Sequence, residues 1–209
     1  KPAPIAAPRV DSEIYVQRSG KGPPVVFLHG LGGDSSVWID QMLRLEATHT
    51  VLLFDLPGHG QSKRPPTLDI VDIARTVAKT IRKEGVAPAV LVGHSLGGSL
   101  AGYVALADPG AVSGLFVIDT MLSPYPIGED VRRRLRVDLV RDPVGTKRRF
   151  FGPLAKTHAQ LDKVMASAVR TSSDVFSGYL DQVATREELT DGAADLKVPV
   201  HAIVTPLLA

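Results

Sequence analysis

The sequence of 209 residues contains no cysteine. Disulfide bonds, thiol nucleophiles and thiolate metal ligands are therefore excluded. No apolar run approaches the roughly 18 residues that a membrane-spanning helix requires. Lysine and arginine (24) nearly balance aspartate and glutamate (22), and the net charge is +2. The sequence thus predicts no membrane span, and its charge gives no indication of a nucleic-acid partner or an acidic partner.

The composition is that of an ordinary globular protein, with 44% hydrophobic and 22% charged residues. This apolar fraction is enough to bury a sizeable core, and the length fits one domain or one domain with an insertion. The first eight residues, Lys1–Pro8, are rich in proline and alanine and lack an initiator methionine. This start favours the mature end of an exported protein, and a disordered leader is the alternative.

Short apolar runs alternate with helical patterns along the chain. Six runs predict strands: Ile14–Gln17, Val25–Leu28, Val51–Phe54, Ala89–Val92, Leu115–Ile118 and Val200–Val204. Ser35 or Ser36 can cap a first helix. Asp69 can cap a second helix that continues through Lys83, and a third helix spans Ser95–Ala107. This alternation predicts an α/β fold with a mostly parallel sheet and helices on both faces.

The interval 121–190 breaks this alternation, because it predicts several consecutive helices. These are Glu129–Arg141, Lys147–Phe151, Thr157–Val169 and Asp174–Ala184. We therefore expect a helical lid at residues 121–190, inserted between a first core part (1–120) and a second core part (191–209) with the last visible strand. Residues 121–185 contain 11 Lys/Arg and 7 Asp/Glu, and we expect the arginines to form a solvated helix face.

The run Ala89–Val92 leads directly into the sequence Gly93-His94-Ser95-Leu96-Gly97-Gly98. A Gly-x-Ser-x-Gly pattern between a strand and a helix is typical of a nucleophile elbow, which exposes a serine on a sharp turn. Gly93 and Gly97 fit this turn, because a side chain there would collide with the neighbouring strand or helix. Ser95 is the predicted nucleophile, and a helix N-cap is its alternative role.

Two further motifs precede the elbow, each after an apolar strand. They are His29-Gly30-Leu31-Gly32-Gly33 and Phe54-Asp55-Leu56-Pro57-Gly58-His59-Gly60-Gln61-Ser62. A single Gly-x-Ser-x-Gly pattern recurs by chance, whereas three motifs in this order are specific. Together they make the chain resemble the α/β-hydrolase fold superfamily over nearly its whole length.

The resemblance implies the parts of an active site. The backbone amides of Leu31 and Leu96 would form an oxyanion hole for the reacting carbonyl. Asp119, which follows the strand Leu115–Ile118, is the expected acid. Relatives often carry the acid after the last strand instead, but Leu208 is nearest to that position here. A polar residue that ends a strand is the alternative role of Asp119.

The base is missing from the expected set of residues. Three of the six histidines belong to the motifs, one lies in a loop before a strand, and His158 lies in the lid, from which only an unusual lid fold would bring it to the site. His201 has the right chain order, but it lies near the start of its strand, about 10 Å below the sheet edge, so we expect a core histidine. Asp55 and His59 are expected to stabilise turns rather than to carry chemistry.

Two explanations of the missing base stay open. A final strand, helix and histidine are absent from the sequence, or the protein lacks them. We favour the first explanation, because a sheet that ended after Val200–Val204 would expose an apolar edge and an uncovered face.

The superfamily resemblance implies a serine hydrolase that cleaves a carboxylic ester or related acyl compound through an acyl-enzyme on Ser95. Its partner would be a small-molecule acyl substrate, and it would need no cofactor and no metal. A carbon–carbon bond hydrolase or a perhydrolase would use the same framework. The alternative from another class is a non-catalytic ligand-binding or signalling member of the fold, which the missing histidine motivates.

Overall fold

The computed structural model of the protein describes residues 14–205, which form one six-stranded sheet and eight α-helices. The strands are β1 (Val16–Ser19), β2 (Pro24–Leu28), β3 (Thr50–Phe54), β4 (Ala89–His94), β5 (Val112–Ile118) and β6 (Val200–Ile203). Their order is β1-β3-β2-β4-β5-β6, with β1 antiparallel to β3 and every other pair parallel. The predicted α/β class with a mostly parallel sheet is confirmed. The segment Lys1–Pro8 and Leu208, which entered the predictions above, lie outside the described residues.

The helices cover both faces of this sheet. They are α1 (Ile39–Leu45), α2 (Ile70–Lys83), α3 (Leu96–Ala107), α4 (Glu129–Arg141), α5 (Pro143–Phe151), α6 (His158–Ala168), α7 (Ser173–Thr185) and α8 (Glu188–Gly192), and short 3-10 turns occupy Ser35–Trp38, Pro109–Ala111, Gly152–Leu154 and Ala193–Asp195. As predicted, α2 begins after Asp69, whose carboxylate accepts hydrogen bonds from the backbone amides of Val71 and Asp72. Within residues 14–205, no helix combines the length and apolar character that crossing a membrane requires.

The central strands are buried on both faces because successive side chains point in opposite directions. Every residue of β3 is buried. Leu52 and Phe54 pack into the larger core cluster, which also contains the inward faces of α2 and α3. Leu53 points to the opposite face and packs with Trp38 and Met42 of the segment after β2. The continuous apolar runs in the sequence follow from this two-sided burial.

The first helical segment begins differently from its prediction. Its N-cap is Asp34, not Ser35 or Ser36, and the Asp34 carboxylate accepts a hydrogen bond from the Ser36 amide. The Ser35 amide instead donates to the carboxylate of Asp55, 2.7 Å away, in the loop after β3. The Ser35 amide is therefore bound in a tertiary contact with Asp55 and does not take part in a local cap.

Helices α4–α8 lie between β5 and β6 and form a helical insertion. The prediction of Glu129–Arg141 is confirmed, whereas the next helix begins at Pro143 rather than Lys147. Asp142 caps that helix by accepting from the Gly145 amide, and proline fits its first turn. The short helix α8 was not predicted. Many insertion arginines pair with nearby acids, including Arg133 with Asp130, as expected for a solvated helix face.

The last strand corrects one prediction. β6 pairs with β5 through Leu115 opposite Val200, and it forms the edge of the described sheet. All four of its residues are exposed, because no other described strand or helix covers its outer side. His201 is consequently not a core histidine, as we had expected from its position near the strand start. Its ring is exposed and stacks on Phe116 at a centroid distance of 6.1 Å.

Candidate active site

Ser95 lies in the turn that joins β4 to α3. β4 ends at His94, α3 begins at Leu96, and Ser95 between them has φ 51° and ψ −121°. A positive φ is unfavourable for a residue with a side chain and marks a strained position. The residue remains partly exposed at the carboxyl end of the parallel strands. The backbone thus has the sharp strand-to-helix turn that the sequence predicts.

The glycines of this turn are required by close backbone contacts. A Cβ atom on Gly93 would lie 2.4 Å from the Gly97 carbonyl oxygen, and one on Gly97 would lie 2.3 Å from the Leu28 carbonyl oxygen. A Cβ atom on Gly98 would lie only 2.0 Å from Oγ1 of Thr120. The expectation that side chains at Gly93 and Gly97 would collide with their neighbours is confirmed.

The loop after β2 approaches the same turn, because β2 is the neighbour of β4 in the sheet. Its Gly33 amide donates to the Gly30 carbonyl, which closes a tight turn around Leu31 and Gly32. Gly32 has φ 70°, a conformation that this position of the turn requires and that glycine adopts without strain. Neither the Leu31 amide nor the Leu96 amide has an acceptor within the described chain.

His29 fixes this loop, a role that its motif alone did not reveal. Its side chain is fully buried, Nδ1 donates to the Gly30 carbonyl at 2.8 Å, and Nε2 accepts from the Leu56 amide at 2.9 Å. Burial lowers the pKa of His29, in keeping with a neutral ring that donates at one nitrogen and accepts at the other. The imidazole therefore joins the loops after β2 and β3 and is occupied at both nitrogens.

Asp55 joins the same two loops through its buried carboxylate. One oxygen accepts from the Ser35 amide at 2.7 Å and the other from the Gln61 amide at 2.7 Å. His59 is also buried, with its ring 5.2 Å from His29 and 5.3 Å from Tyr179. Neither side chain makes a hydrogen bond to Ser95. This agrees with the expected turn-stabilising role of both.

Asp119 follows β5 and lies beside Ser95. The register pairs His94 with Ile118, so Ser95 and Asp119 are the next residues on the two strands. Asp119 has φ 46°, and its Oδ1 accepts a hydrogen bond of 2.6 Å from the Thr205 amide. Oδ2 has no partner within the described residues and is available to an imidazole.

No hydrogen bond within residues 14–205 joins an imidazole to Ser95 or Asp119. His94 is exposed at the carboxyl end of β4, and its ring lies over Gly30, where a Cβ atom would be 2.9 Å from Nδ1. His158 is exposed in α6, and His201 lies two residues before the end of its strand. The structure therefore brings together Ser95, the two predicted amide donors and Asp119, without a bonded histidine in the described part.

The helical insertion contacts the loops that flank Ser95. The ring of Phe151 and the side chain of Ala168 lie against Gly32, where a Cβ atom would be 3.1 Å from the phenyl ring. Tyr179 donates to the Pro57 carbonyl at 2.9 Å. Leu31 packs on the apolar cluster of the insertion, which contains Leu139, Phe151, Met165, Ala168 and Phe176. The predicted oxyanion loop is thus in contact with the insertion.

Among residues 14–205, no group of three or more His, Asp or Glu side chains is arranged to hold a metal ion.

A family model described as the alpha/beta hydrolase fold matches residues 23–163, which include the predicted oxyanion loop, the Ser95 turn and Asp119. The chain belongs to the alpha/beta hydrolase fold family. The predicted resemblance to the α/β-hydrolase fold superfamily is therefore confirmed.

Individual proteins resemble this alpha/beta hydrolase to different extents. It is 30% identical over 198 residues to pimeloyl-[acyl-carrier protein] methyl ester esterase of Pseudoalteromonas atlantica, a match that covers 87% of this chain and 74% of that protein. It is 35% identical over 118 residues to the dihydrolipoyllysine-residue acetyltransferase component of the acetoin cleaving system of Cupriavidus necator. That second match covers 56% of this chain and 30% of the relative, so the chain spans less than a third of its length.

A solved structure shows the same fold. The malate-bound thermophilic esterase from Thermogutta terrifontis superposes with a TM-score of 0.81 at 25% sequence identity. The superposition covers 91% of this alpha/beta hydrolase chain and 74% of the esterase.

Proposed function

We propose that the protein is a serine hydrolase that cleaves a carboxylic ester or a related acyl compound, with Ser95 as the nucleophile. The observation that carries the proposal is the strained backbone of Ser95, with φ 51°, followed directly by a Leu96 amide that has no acceptor in the described chain. An amide that is fixed before the reaction stabilises a developing oxyanion without reorganisation, and loss of one such donor costs about 3 kcal/mol.

In the proposed reaction, the Ser95 hydroxyl oxygen attacks the acyl carbon and its proton passes to an imidazole. The carbonyl oxygen becomes an oxyanion that accepts hydrogen bonds from the Leu31 and Leu96 amides. The imidazolium then returns the proton to the leaving alkoxide, which departs as the alcohol. Water attacks the acyl-serine and gives one proton to the imidazole. The imidazolium passes this proton to the Ser95 oxygen as the acyl–serine bond breaks, which releases the carboxylic acid and restores the free serine and the neutral imidazole. These steps use no metal and no cofactor.

Asp119 is proposed to orient the imidazole. Its Oδ1 is held by the Thr205 amide, so the carboxylate has a fixed direction and Oδ2 is free to accept an imidazole N–H. This arrangement would hold the ring in the tautomer that accepts the serine proton. The position of Asp119 next to Ser95 in the strand register supports the assignment.

The substrate is proposed to be a small acyl compound with an apolar portion. Leu31, Leu135 and Phe150 are partly buried against the apolar cluster of the insertion, next to the loop that would bind the oxyanion. The named esterase activities of the Pseudoalteromonas protein and of the Thermogutta structure support an ester as the reacting group. Residues 121–190 are proposed to form a lid over a core made of residues 1–120 and 191–209.

A second candidate is a non-catalytic ligand-binding or signalling protein of the same fold. One observation favours it, since no imidazole is bonded to Ser95 or Asp119 within the described chain. Such a protein would keep the fold and the loops around Ser95 without activating the serine.

A fluorophosphonate probe distinguishes the two candidates, because it labels a serine that a base activates. We expect labelling at Ser95, located by peptide mapping, and hydrolysis of p-nitrophenyl acetate. Both should be abolished in Ser95→Ala while the far-ultraviolet circular dichroism spectrum stays unchanged. Ser177→Ala is the matched control, because that hydroxyl only donates to a carbonyl of its own helix. A wild-type protein without label, or a Ser95→Ala variant with full activity, would exclude the serine mechanism.

A further inference from the structure

Thr120, the residue after Asp119, contacts the turn that carries Ser95. Its Oγ1 lies 3.1 Å from the Ser95 carbonyl oxygen and 3.0 Å from the Ile118 carbonyl oxygen. A hydroxyl has one hydrogen, so the two carbonyls share a single donor. The side chain is partly buried, between the end of β5 and the first turn of α3.

The Ser95 carbonyl is the first acceptor of helix α3. It accepts from the Gly98 amide at 2.9 Å and from the Ser99 amide at 3.1 Å. On its other side, the Ser95 amide donates to the Ile118 carbonyl at 2.9 Å. The short segment from Ile118 to Thr120 therefore holds Ser95 at its amide and at its carbonyl.

The Ser95 carbonyl also determines the direction of the proposed oxyanion donor. It belongs to the same planar peptide group as the Leu96 amide, with the C=O and the N–H in opposite directions. A hydrogen bond that fixes the carbonyl oxygen consequently fixes where the Leu96 N–H points. The contact is tight, because a Cβ atom on Gly98 would overlap Thr120 Oγ1 at 2.0 Å.

We propose that Thr120 is a positioning residue for the reaction: its hydroxyl fixes the Ser95–Leu96 peptide plane and so aims the Leu96 amide at the oxyanion. The inference rests on the proposed function of Ser95 as the nucleophile. The physical reason is the positive φ of Ser95, since a strained conformation persists only where neighbouring groups hold it. Thr120 supplies such a contact from the strand that also carries Asp119.

The test compares Thr120→Val, which keeps the side-chain shape and removes the hydroxyl, with Thr120→Ser, which keeps the hydroxyl. For p-nitrophenyl acetate we expect kcat to fall roughly tenfold in Thr120→Val with little change in KM, because the lost alignment matters in the transition state. Thr120→Ser should recover most of kcat. The pH profile should keep its shape, because the Thr120 hydroxyl donates to backbone carbonyls and not to the Asp119 carboxylate or the base.

Thr80→Val is the matched control. It removes a threonine hydroxyl that donates to a backbone carbonyl at 2.9 Å, but in α2 and away from the elbow. We expect an unchanged kcat in this variant. An equal kcat in wild type and in a folded Thr120→Val would overturn the inference, as would a loss in Thr120→Ser as large as that in Thr120→Val.

Amide hydrogen exchange tests the contact independently of activity. The Gly98 and Ser99 amides, which donate to the Ser95 carbonyl, should exchange faster in Thr120→Val than in wild type or Thr120→Ser. Equal exchange rates would overturn the positioning role. A wild-type protein that the fluorophosphonate probe does not label would instead reject the proposed function, and the exchange comparison would still decide whether Thr120 holds the turn.

Discussion

Ser95 and Asp119 occupy matching positions directly after the neighbouring parallel strands β4 and β5, because each follows one member of the register pair His94 and Ile118. Both have a positive φ, 51° and 46°, and they are the two non-glycine residues with this conformation in the range 14–205. Each such conformation costs on the order of 1–3 kcal/mol and persists only where the surrounding structure holds it. The backbone strain of the described chain is thus concentrated where the nucleophile and the acid are proposed.

Replacement of Asp119 by asparagine should slow the reaction without unfolding the protein. The amide oxygen can still accept from the Thr205 amide, but the side chain no longer carries the charge that stabilises an imidazolium. We expect kcat for p-nitrophenyl acetate to fall by roughly 10³- to 10⁴-fold, the order seen when the acid of a serine triad is made neutral.

Asp40→Asn provides the comparison, because Asp40 is exposed in α1. Its kcat should equal that of wild type. A nearly unchanged kcat in Asp119→Asn would show that Asp119 is only a polar residue at the end of its strand. Another residue would then have to be the acid.

Glycine-to-alanine substitutions should change the free energy of unfolding in opposite directions at the elbow and in the insertion. In Gly98→Ala the new methyl group would lie 2.0 Å from Thr120 Oγ1, so either the helix start or the β5 loop must move. We expect a loss of about 1–3 kcal/mol in the free energy of unfolding, measured by urea denaturation, and reduced fluorophosphonate labelling.

Gly152→Ala is the opposite case. Gly152 has φ −52° and ψ −49°, and an added Cβ atom would meet nothing within 4 Å. Alanine restricts the unfolded chain at such a site, so the free energy of unfolding should rise by about 0.4–1 kcal/mol. Equal stability changes in the two variants would contradict the packing described for the elbow.

The buried His59 should make the protein less stable in mild acid. Burial, aided by repulsion from His29, lowers the pKa of His59 to about 3, whereas the unfolded chain has the ordinary value of 6.5. Between these values the unfolded state binds a proton that the folded state does not. The free energy of unfolding should therefore fall as the pH falls from 6.5 toward 3, by about 1.4 kcal/mol per pH unit from this histidine.

Urea denaturation at pH 7, 6 and 5 measures this slope. His59→Gln should have a smaller slope than wild type by the amount that His59 contributes, whereas His158→Gln, at an exposed position, should match wild type. A wild-type slope in a folded His59→Gln variant would show that other groups cause the acid sensitivity.

Local patterns in the sequence predicted much of this fold. The apolar runs identified the strands because parallel strands are buried on both faces, and Asp69 marked the start of α2 because its carboxylate caps the nearest free amides. Gly93 indicated the turn for an equally local reason, since an added Cβ atom would lie 2.4 Å from the Gly97 carbonyl oxygen. Such features depend on residues a few positions apart, so the chain itself displays them.

The functions of His29 and Thr120 could not be predicted in this way. His29 bonds to Leu56 and Thr120 bonds to Ser95, which are 27 and 25 residues distant in the chain. Both contacts exist because the sheet brings the ends of neighbouring strands together. The sequence around a serine turn or a strand end does not indicate which distant residues will contact it.

The exposure of His201 was likewise not predictable from the sequence around it. A strand in the interior of the sheet would have buried it, and the edge position of β6 leaves it exposed in the described structure. By itself, the sequence determined which segments become strands and helices and which serine lies on the sharp turn. The tertiary structure alone decided that the Thr205 amide binds Asp119 Oδ1 and that Thr120 Oγ1 contacts the Ser95 carbonyl, because strand order and register arise from packing between distant segments.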